Sequence, residues 1–287
     1  MLIKDWIDTY KPTNAQDLHQ AMREIMQEIA LAGLYRSGFF EKAAFYGGTA
    51  LRVFYQLNRF SEDLDFSLLQ VNKNFKIEPY LKSVINEFNA LGIQVEAKTK
   101  IKNNQSAIDS AFLKDTGNWH QLVLKGILPQ NYPLAVKPIK IKLEIDTNPP
   151  LGFATENKLL LKPFSCYISC FSESDLFAGK MHALLFRQWK NRVKGRDWFD
   201  LEWYVKRGTT LHLNHFEIRA KQSGHWPKNK KIKPEDVLEL LNSKIKNTSL
   251  NQMMEDVEPF IADNNHTNVW STQYFKDLAK KIKFKND

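Results

Sequence analysis

Apolar positions along this chain follow two periods. Over residues 14–34, Leu18, Met22, Ile25, Ile29 and Leu31 or Ala32 share one side of a helical repeat. Gly33 and Gly38 mark the end of that helix and the turn after it. A strand through Phe45 and Tyr46 then stops at Gly47–Gly48, and the chain restarts as a helix with Leu51, Phe54 and Tyr55 on its apolar side. Leu64, Phe66 and Leu68 next alternate with Asp63, Asp65 and Ser67, which is the two-residue period of a strand and puts both aspartates on one face. Ile77, Tyr80, Leu81, Val84, Ile85 and Phe88 predict a further helix ending near Gly92, followed by a strand through Ile93, Val95, Ala97 and Thr99.

Residues 102–118 are polar and predict a loop or short helix; 121–124 read as a strand, and Pro133 and Pro138 bound a loop or edge segment. The clearest strand alternates Ile139, Ile141, Leu143 and Ile145 with Lys140, Lys142, Glu144 and Asp146. Its polar face is either a solvated edge or a source of further carboxylates. One or two more strands follow over 158–170. From Ser172 onward only helices are predicted, over 172–185, 196–206, 213–222, 234–245, 251–261 and 271–283, with the lysine-rich 280–285 as a basic helix end. The fold class is therefore α+β, divided near residue 170 into an α/β domain over 1–170 and a helical domain over 171–287.

Composition narrows the functional classes. The 287 residues are 43% hydrophobic and 25% charged, ordinary for a globular chain with sizeable cores. No apolar run is long enough to span a membrane, and Met1 to Trp6 lacks the layout of a signal peptide. A cytoplasmic protein is expected. The only cysteines, Cys166 and Cys170, give no disulfide framework. The scattered histidines form no ligand pattern, and His212 and His215, set among Leu211, Leu213 and Phe216, read as packing residues. Lysine and arginine number 41 against 32 acidic residues, a net charge of +9 that favours a polyanionic partner.

The chemistry sits around Gly47–Asp65. A glycine pair before a helix lets backbone N–H groups approach a ligand, and a helix N-terminus favours anions. Thr49 is placed to cap that helix or to hold a phosphate oxygen. Asp63 and Asp65, about 6.5–7 Å apart along a strand, suit one or two hard divalent cations; paired metals in phosphoryl-transfer sites stand about 3.5–4 Å apart. A nucleoside triphosphate with Mg²⁺ needs both a phosphate cradle and a metal platform. In the second half, Lys180 lies near the apolar side of a helix carrying Leu176, Phe177, Ala183 and Leu184, so its ammonium needs an anion. A triphosphate is one such anion, and Asp197 or Asp200 is another. Arg187, Lys190, Arg192, Lys194 and Arg196 form a basic run, and Trp226 to Lys233 is a basic loop with an aromatic, either solvated or suited to gripping RNA.

The order of these parts resembles the nucleotidyltransferase signature, a Gly-Gly/Ser turn followed by Asp-x-Asp. More narrowly, Gly47-Gly48-Thr49-Ala50-Leu51-Arg52 with Arg59-x-Ser61-x-Asp63-Leu64-Asp65-Phe66 resembles the AbiEii toxin family of type IV toxin–antitoxin and abortive-infection systems. Lys180 and the stretch Arg196-Asp197-x-x-Asp200-Leu201 match its second motif block, with Gly179 departing from that pattern. The resemblance runs from about Phe45 to Val205.

It implies a two-lobed, polymerase-beta-like nucleotidyltransferase fold, a mixed sheet domain plus a C-terminal helical bundle, with the active site in the cleft between them. It further implies transfer of a nucleotidyl group from an NTP with Mg²⁺ or Mn²⁺. Asp63 and Asp65 would hold the metal, and Glu144 or Asp146 would complete the site or activate the acceptor. Gly47, Gly48, Thr49, Ser61, Arg52 and Arg59 would contact the nucleotide or brace the motifs. Lys180 would neutralise the triphosphate, and Asp197 or Asp200 would position it or act as base. In some relatives the acceptor is a tRNA 3′ end, the outcome is blocked translation of use in phage defence, and a separately encoded antitoxin restrains the toxin. A protein acceptor, or a catalytically silent binding relative, are the alternatives.

Overall fold

The computed structural model describes residues 3–99, 108–115, 139–187, 193–261 and 264–286. The chain forms two compact units. The first comprises residues 1–56, 60–149 and 157–170, and the second 57–59, 150–156 and 171–287.

The first unit is built on a mixed seven-stranded sheet. Its strands are β1 (Ala43–Tyr46), β2 (Leu64–Leu68), β3 (Val95–Thr99), β4 (Ile108–Asp115), β5 (Lys140–Asp146), β6 (Thr155–Leu160) and β7 (Cys166–Phe171), in the order β3-β4-β5-β2-β1-β7-β6. β1 runs antiparallel to β2 and parallel to β7, and β2 runs parallel to β5. Leu64 and Phe66 pair in register with Leu143 and Ile145, and all four are buried. Their alternating partners, Asp65 with Glu144 and Ser67 with Asp146, lie on the other face. β5 is therefore an interior strand between β4 and β2, not an edge.

Helices α1 (Ile3–Asp8), α2 (Ala15–Arg36), α3 (Gly47–Tyr55) and α4 (Glu78–Ala90) complete this unit. Asn14 caps α2 by accepting from the Asp17 amide. Leu18, Met22, Ile25 and Ile29 join Phe45, Phe66, Leu143 and Ile145 in one core cluster. Gly33 does not end α2. A Cβ there would stand 2.5 Å from the Val84 Cα, so the glycine lets α2 and α4 approach closely, and the helix runs on to Arg36. The turn comes at Gly38, with φ 73°.

Residues 108–115, expected as loop or short helix, are strand β4. Its backbone pairs with both β3 and β5, and that two-sided ladder overrides an irregular side-chain pattern. The strand expected at 121–124 and the prolines at 133 and 138 lie outside the described residues.

The second unit holds α5 (Glu173–Phe186), α6 (Gly195–Arg207), α7 (Leu213–Gln222), α8 (Pro234–Lys246), α9 (Leu250–Val257) and α10 (Thr272–Ala279). Ser172 caps α5 through the Asp175 amide. The sequence predicts helices alone from Ser172 onward, but this unit also contains strands. β8 (Thr210–His212) and β9 (Lys283–Lys285) form a parallel pair, so the basic tail is a strand and not a fraying helix end. Strands of three residues are too short to show a period of two. Glu202, 1% exposed, gathers the C-terminal segment by accepting from Trp270 Nε1 at 2.7 Å and Tyr274 OH at 2.6 Å.

Candidate active site

In the first unit the site is a turn set against a strand. Tyr46 leaves β1 in extended geometry and caps α3 without a side-chain bond, and Gly47 follows with φ 84°. A Cβ on Gly47 would stand 2.5 Å from Asp65 Oδ2 and 3.1 Å from Asp65 Cβ. The Asp65 side chain thus lies on the turn that opens α3, and glycine at 47 makes room for it. Tyr46 and Asp65 are also register partners across β1 and β2.

Asp63 precedes the strand, since β2 begins at Leu64. Its carbonyl accepts a bond from the Thr49 hydroxyl. Thr49 is fully buried, and this hydroxyl braces the Asp63 segment and does not cap α3. The segment is braced a second time by Gln27, whose amide donates to the Ser61 carbonyl at 3.1 Å and the Glu62 carbonyl at 3.0 Å.

Arg52 donates to Glu24 at 2.7 Å, and its guanidinium stacks 4.6 Å from the Phe60 ring centroid. Glu24 also accepts from the Tyr10 hydroxyl at 3.0 Å. Burial, reinforced by the neighbouring Glu24 carboxylate, pushes the Glu28 carboxyl up to about 8. Gln20, Glu24 and Gln27 are all buried on α2. Their three- and four-residue spacing on the helix's inward side is a signal in the sequence that hydrophobic periodicity alone passes over.

Glu144 is the register neighbour of Asp65 on β5, and adjacent strands stand about 4.8 Å apart. Asp146 lies beside Ser67, and one of its oxygens accepts from the Asn148 amide at 3.0 Å. Of the two carboxylates, Glu144 is the one beside Asp65. The Lys142 ammonium currently engages it. The donors fit a hard divalent cation, because Asp65 and Glu144 are same-face carboxylates in register and Asp63 lies one residue before β2. Among the described residues, no three His, Cys, Asp or Glu side chains already stand together as a metal cage.

The second unit carries a buried charge network. Arg59 grips Asp200 with two bonds of 2.7 Å, from Nε to Oδ1 and from Nη2 to Oδ2. Lys180 on α5 reaches Asp197 at 2.6 Å and Asp200 at 2.8 Å, both on α6 and three residues apart on one helical face. Arg59 is 3% exposed and Asp200 0%. Burial alone would raise the Asp200 carboxyl, but the Arg59 and Lys180 charges outweigh it and hold it below the usual carboxylate range. Burial would likewise lower Lys180, and Asp197 with Asp200 instead holds it above its ordinary value.

Gly195 is essential to this placement, because a Cβ there would stand 1.8 Å from the Met253 carbonyl oxygen. Glycine lets the start of α6 sit directly on α9. Arg196 is paired with Asp256 at 3.6 Å, and Lys190 and Arg192 lie outside the described residues. The Trp226 loop is folded on itself, with the indole N–H donating to the Lys230 carbonyl at 3.1 Å and the Lys230 ammonium 4.7 Å from the ring centroid.

Residues 29–280 match the family described as nucleotidyl transferase AbiEii toxin, type IV toxin–antitoxin system. The chain belongs to this family. It is accordingly a nucleotidyltransferase toxin of a type IV toxin–antitoxin system, and AbiEii membership implies an NTP substrate and an antitoxin partner. Among solved structures, JHP933 from Helicobacter pylori is similar with a TM-score of 0.50 and 18% identity, covering 91% of this chain and 90% of that one. A candidate nucleotidyltransferase from H. pylori is similar with a TM-score of 0.48 and 18% identity, covering 90% and 92%. At that identity the likeness to JHP933 shows the α+β fold alone. No curated protein shows significant similarity. No helix among the described residues is long and apolar enough to cross a membrane.

Proposed function

We propose that this AbiEii-family chain transfers a nucleotidyl group from an NTP to an RNA acceptor of the tRNA class. The acceptor hydroxyl oxygen bonds to the α-phosphorus, the bond from that phosphorus to the bridging oxygen of the β-phosphate breaks, and pyrophosphate leaves. The observation that carries this reading is the place of Asp65, beside Glu144 in register and against the Gly47 turn that opens α3.

In this reading Asp63 and Asp65 hold Mg²⁺ or Mn²⁺, which when bound neutralises phosphate charge. The backbone of Gly47 and Gly48, at the start of α3, favours the phosphates. Ser61 adds a hydroxyl donor. Glu144 accepts the acceptor's proton, a role Asp146 is less well placed for because its carboxylate already holds the Asn148 amide. Arg52, held by Glu24 and Phe60, braces the motif. Arg59 and Asp200 occupy one another in the buried network, so they position Lys180 and Asp197. Lys180 has three donors, of which Asp197 and Asp200 take two, and its ammonium is the cation assigned to the triphosphate.

The test is incubation with each labelled NTP, total tRNA and total protein, with and without Mg²⁺. Label in the tRNA fraction is expected. Label confined to protein would replace the acceptor, and no label in either fraction would overturn the reading. Transfer surviving exhaustive chelation would remove the metal from it.

A further inference from the structure

The second unit contains a cavity of about 290 Å³ between the end of α5, the start of α6 and the end of α8. Among the described residues, three basic ones line it, one from each of those places: Arg187, Lys194 and Lys244. Among the described residues that line it the one carboxylate is Asp197, and Lys180 already pairs with that group at 2.6 Å. The lining is therefore strongly cationic. Leu184 and Trp198 give it an apolar side, and Asn247 offers an amide able both to donate and to accept. Its volume lies at the small end of ligand sites, which run from roughly 300 Å³ upward.

We infer that this cavity binds one phosphate-bearing nucleotide of the RNA acceptor. Arg187, Lys194 and Lys244 meet backbone phosphates, the apolar side takes a base or ribose face, and Asn247 reads a ribose hydroxyl or base edge. An apolar metabolite pocket would not gather three cations. The chain's net charge of +9 supplies the long-range attraction, and this cavity gives it a place to act. The inference rests on the nucleotidyltransfer reading for the identity of the RNA as acceptor, but not for the binding itself.

The experiment measures fluorescence anisotropy of a labelled short single-stranded RNA, and of DNA of the same sequence, over a salt series and without NTP. Variants are Arg187→Glu, Lys244→Glu and Lys244→Gln, the last keeping most of the side-chain stem. Lys73→Glu, on an exposed residue of the first unit, makes the same change in net charge. A second readout is the rise in Tm on adding NTP with Mg²⁺.

Arg187→Glu and Lys244→Glu are expected to weaken RNA binding at least tenfold, well beyond Lys73→Glu. Lys244→Gln should lower the slope of log K against log salt by about 0.7, the share of one phosphate contact on a single strand. The NTP-induced rise in Tm should be unchanged. RNA affinity equal to that of Lys73→Glu would overturn the inference. So would loss of the NTP-induced rise with RNA binding intact, which would assign the cavity to a mononucleotide. If the variants lose RNA binding but the wild-type protein transfers no label from any NTP, the cavity assignment stands and the nucleotidyltransfer reading fails.

Discussion

Gly47 and Asp65 occupy adjoining space: a Cβ on the glycine would stand 2.5 Å from an Asp65 carboxylate oxygen. Gly47 also has φ 84°, where an L-residue pays about 1–2 kcal/mol. Gly47→Ala therefore combines backbone strain with displacement of Asp65. Nucleotidyl transfer is expected to drop by more than tenfold while the protein remains folded. Circular dichroism melts and transfer rates measured side by side check this. A variant that melts lower yet transfers at the wild-type rate would show that Asp65 need not keep its place against the turn.

Asp63→Asn and Asp65→Asn each keep the side-chain shape and remove a negative charge. In the proposed reading each abolishes transfer and growth inhibition. The bond from Thr49 goes to the backbone carbonyl of Asp63 and survives the change at 63, and Tm measured beside activity checks that both variants remain folded. Ser67→Ala, on the same strand, is the matched control. Full toxicity in a well-expressed Asp65→Asn variant would count against a metal role.

What the sequence made legible was whatever repeats along a single segment. The alternation of Leu64, Phe66 and Leu68, and of Ile141, Leu143 and Ile145, identifies two strands, and the structure sets them parallel in the centre of the sheet. β4 was missed because its evidence lies in its partners β3 and β5 and not in its own residues. Gly33 and Gly195 were misread or passed over for a related reason. A glycine that admits Val84 or Met253 looks in sequence like any other helix breaker. Thr49 next to a glycine pair reads as a helix cap or a phosphate contact, and the bond its hydroxyl makes to the Asp63 carbonyl, fourteen residues on, leaves no trace in the local pattern. The cationic cavity draws on residues 187, 194 and 244, and no local pattern joins them.

Glu28 makes stability depend on pH. Burial and then Glu24 raise its carboxyl from an ordinary value near 4.5 to about 8 in the fold. Between those values the unfolded chain has lost this proton while the folded protein keeps it. Its contribution is thus complete below about 4.5 and is lost as pH rises through 8. Glu28→Gln keeps the neutral amide at every pH. The variant is expected to match wild type near pH 4 and to exceed it above pH 8, and paired urea melts across that range check the crossover. Parallel curves for the two proteins would mean that Glu28 ionises freely in the fold.

The Arg59–Asp200–Lys180–Asp197 network separates structural from functional charge. Asp200 accepts from both Arg59 and Lys180 and is fully buried, so removing it takes the bidentate partner from Arg59 and leaves Lys180 with Asp197. Asp200→Ala is expected to cost about 3–5 kcal/mol, the range for breaking one side of a buried ion pair. Arg59→Met leaves Asp200 with Lys180 alone and should cost a similar amount. Lys180→Ala differs, because Asp200 keeps its bidentate Arg59 and Asp197 lines a cavity. Its stability loss should be smaller, whereas loss of NTP affinity and turnover should be large if the ammonium serves the triphosphate. Lys180→Arg should recover stability more fully than activity, since a planar guanidinium does not reproduce a compact ammonium. The decisive measurement is the rise in Tm on adding Mg²⁺–NTP, which should shrink in both Lys180 variants. If Lys180→Ala keeps the wild-type rise and transfer rate while Asp200→Ala unfolds, the network holds α5 to α6 and takes no part in the chemistry.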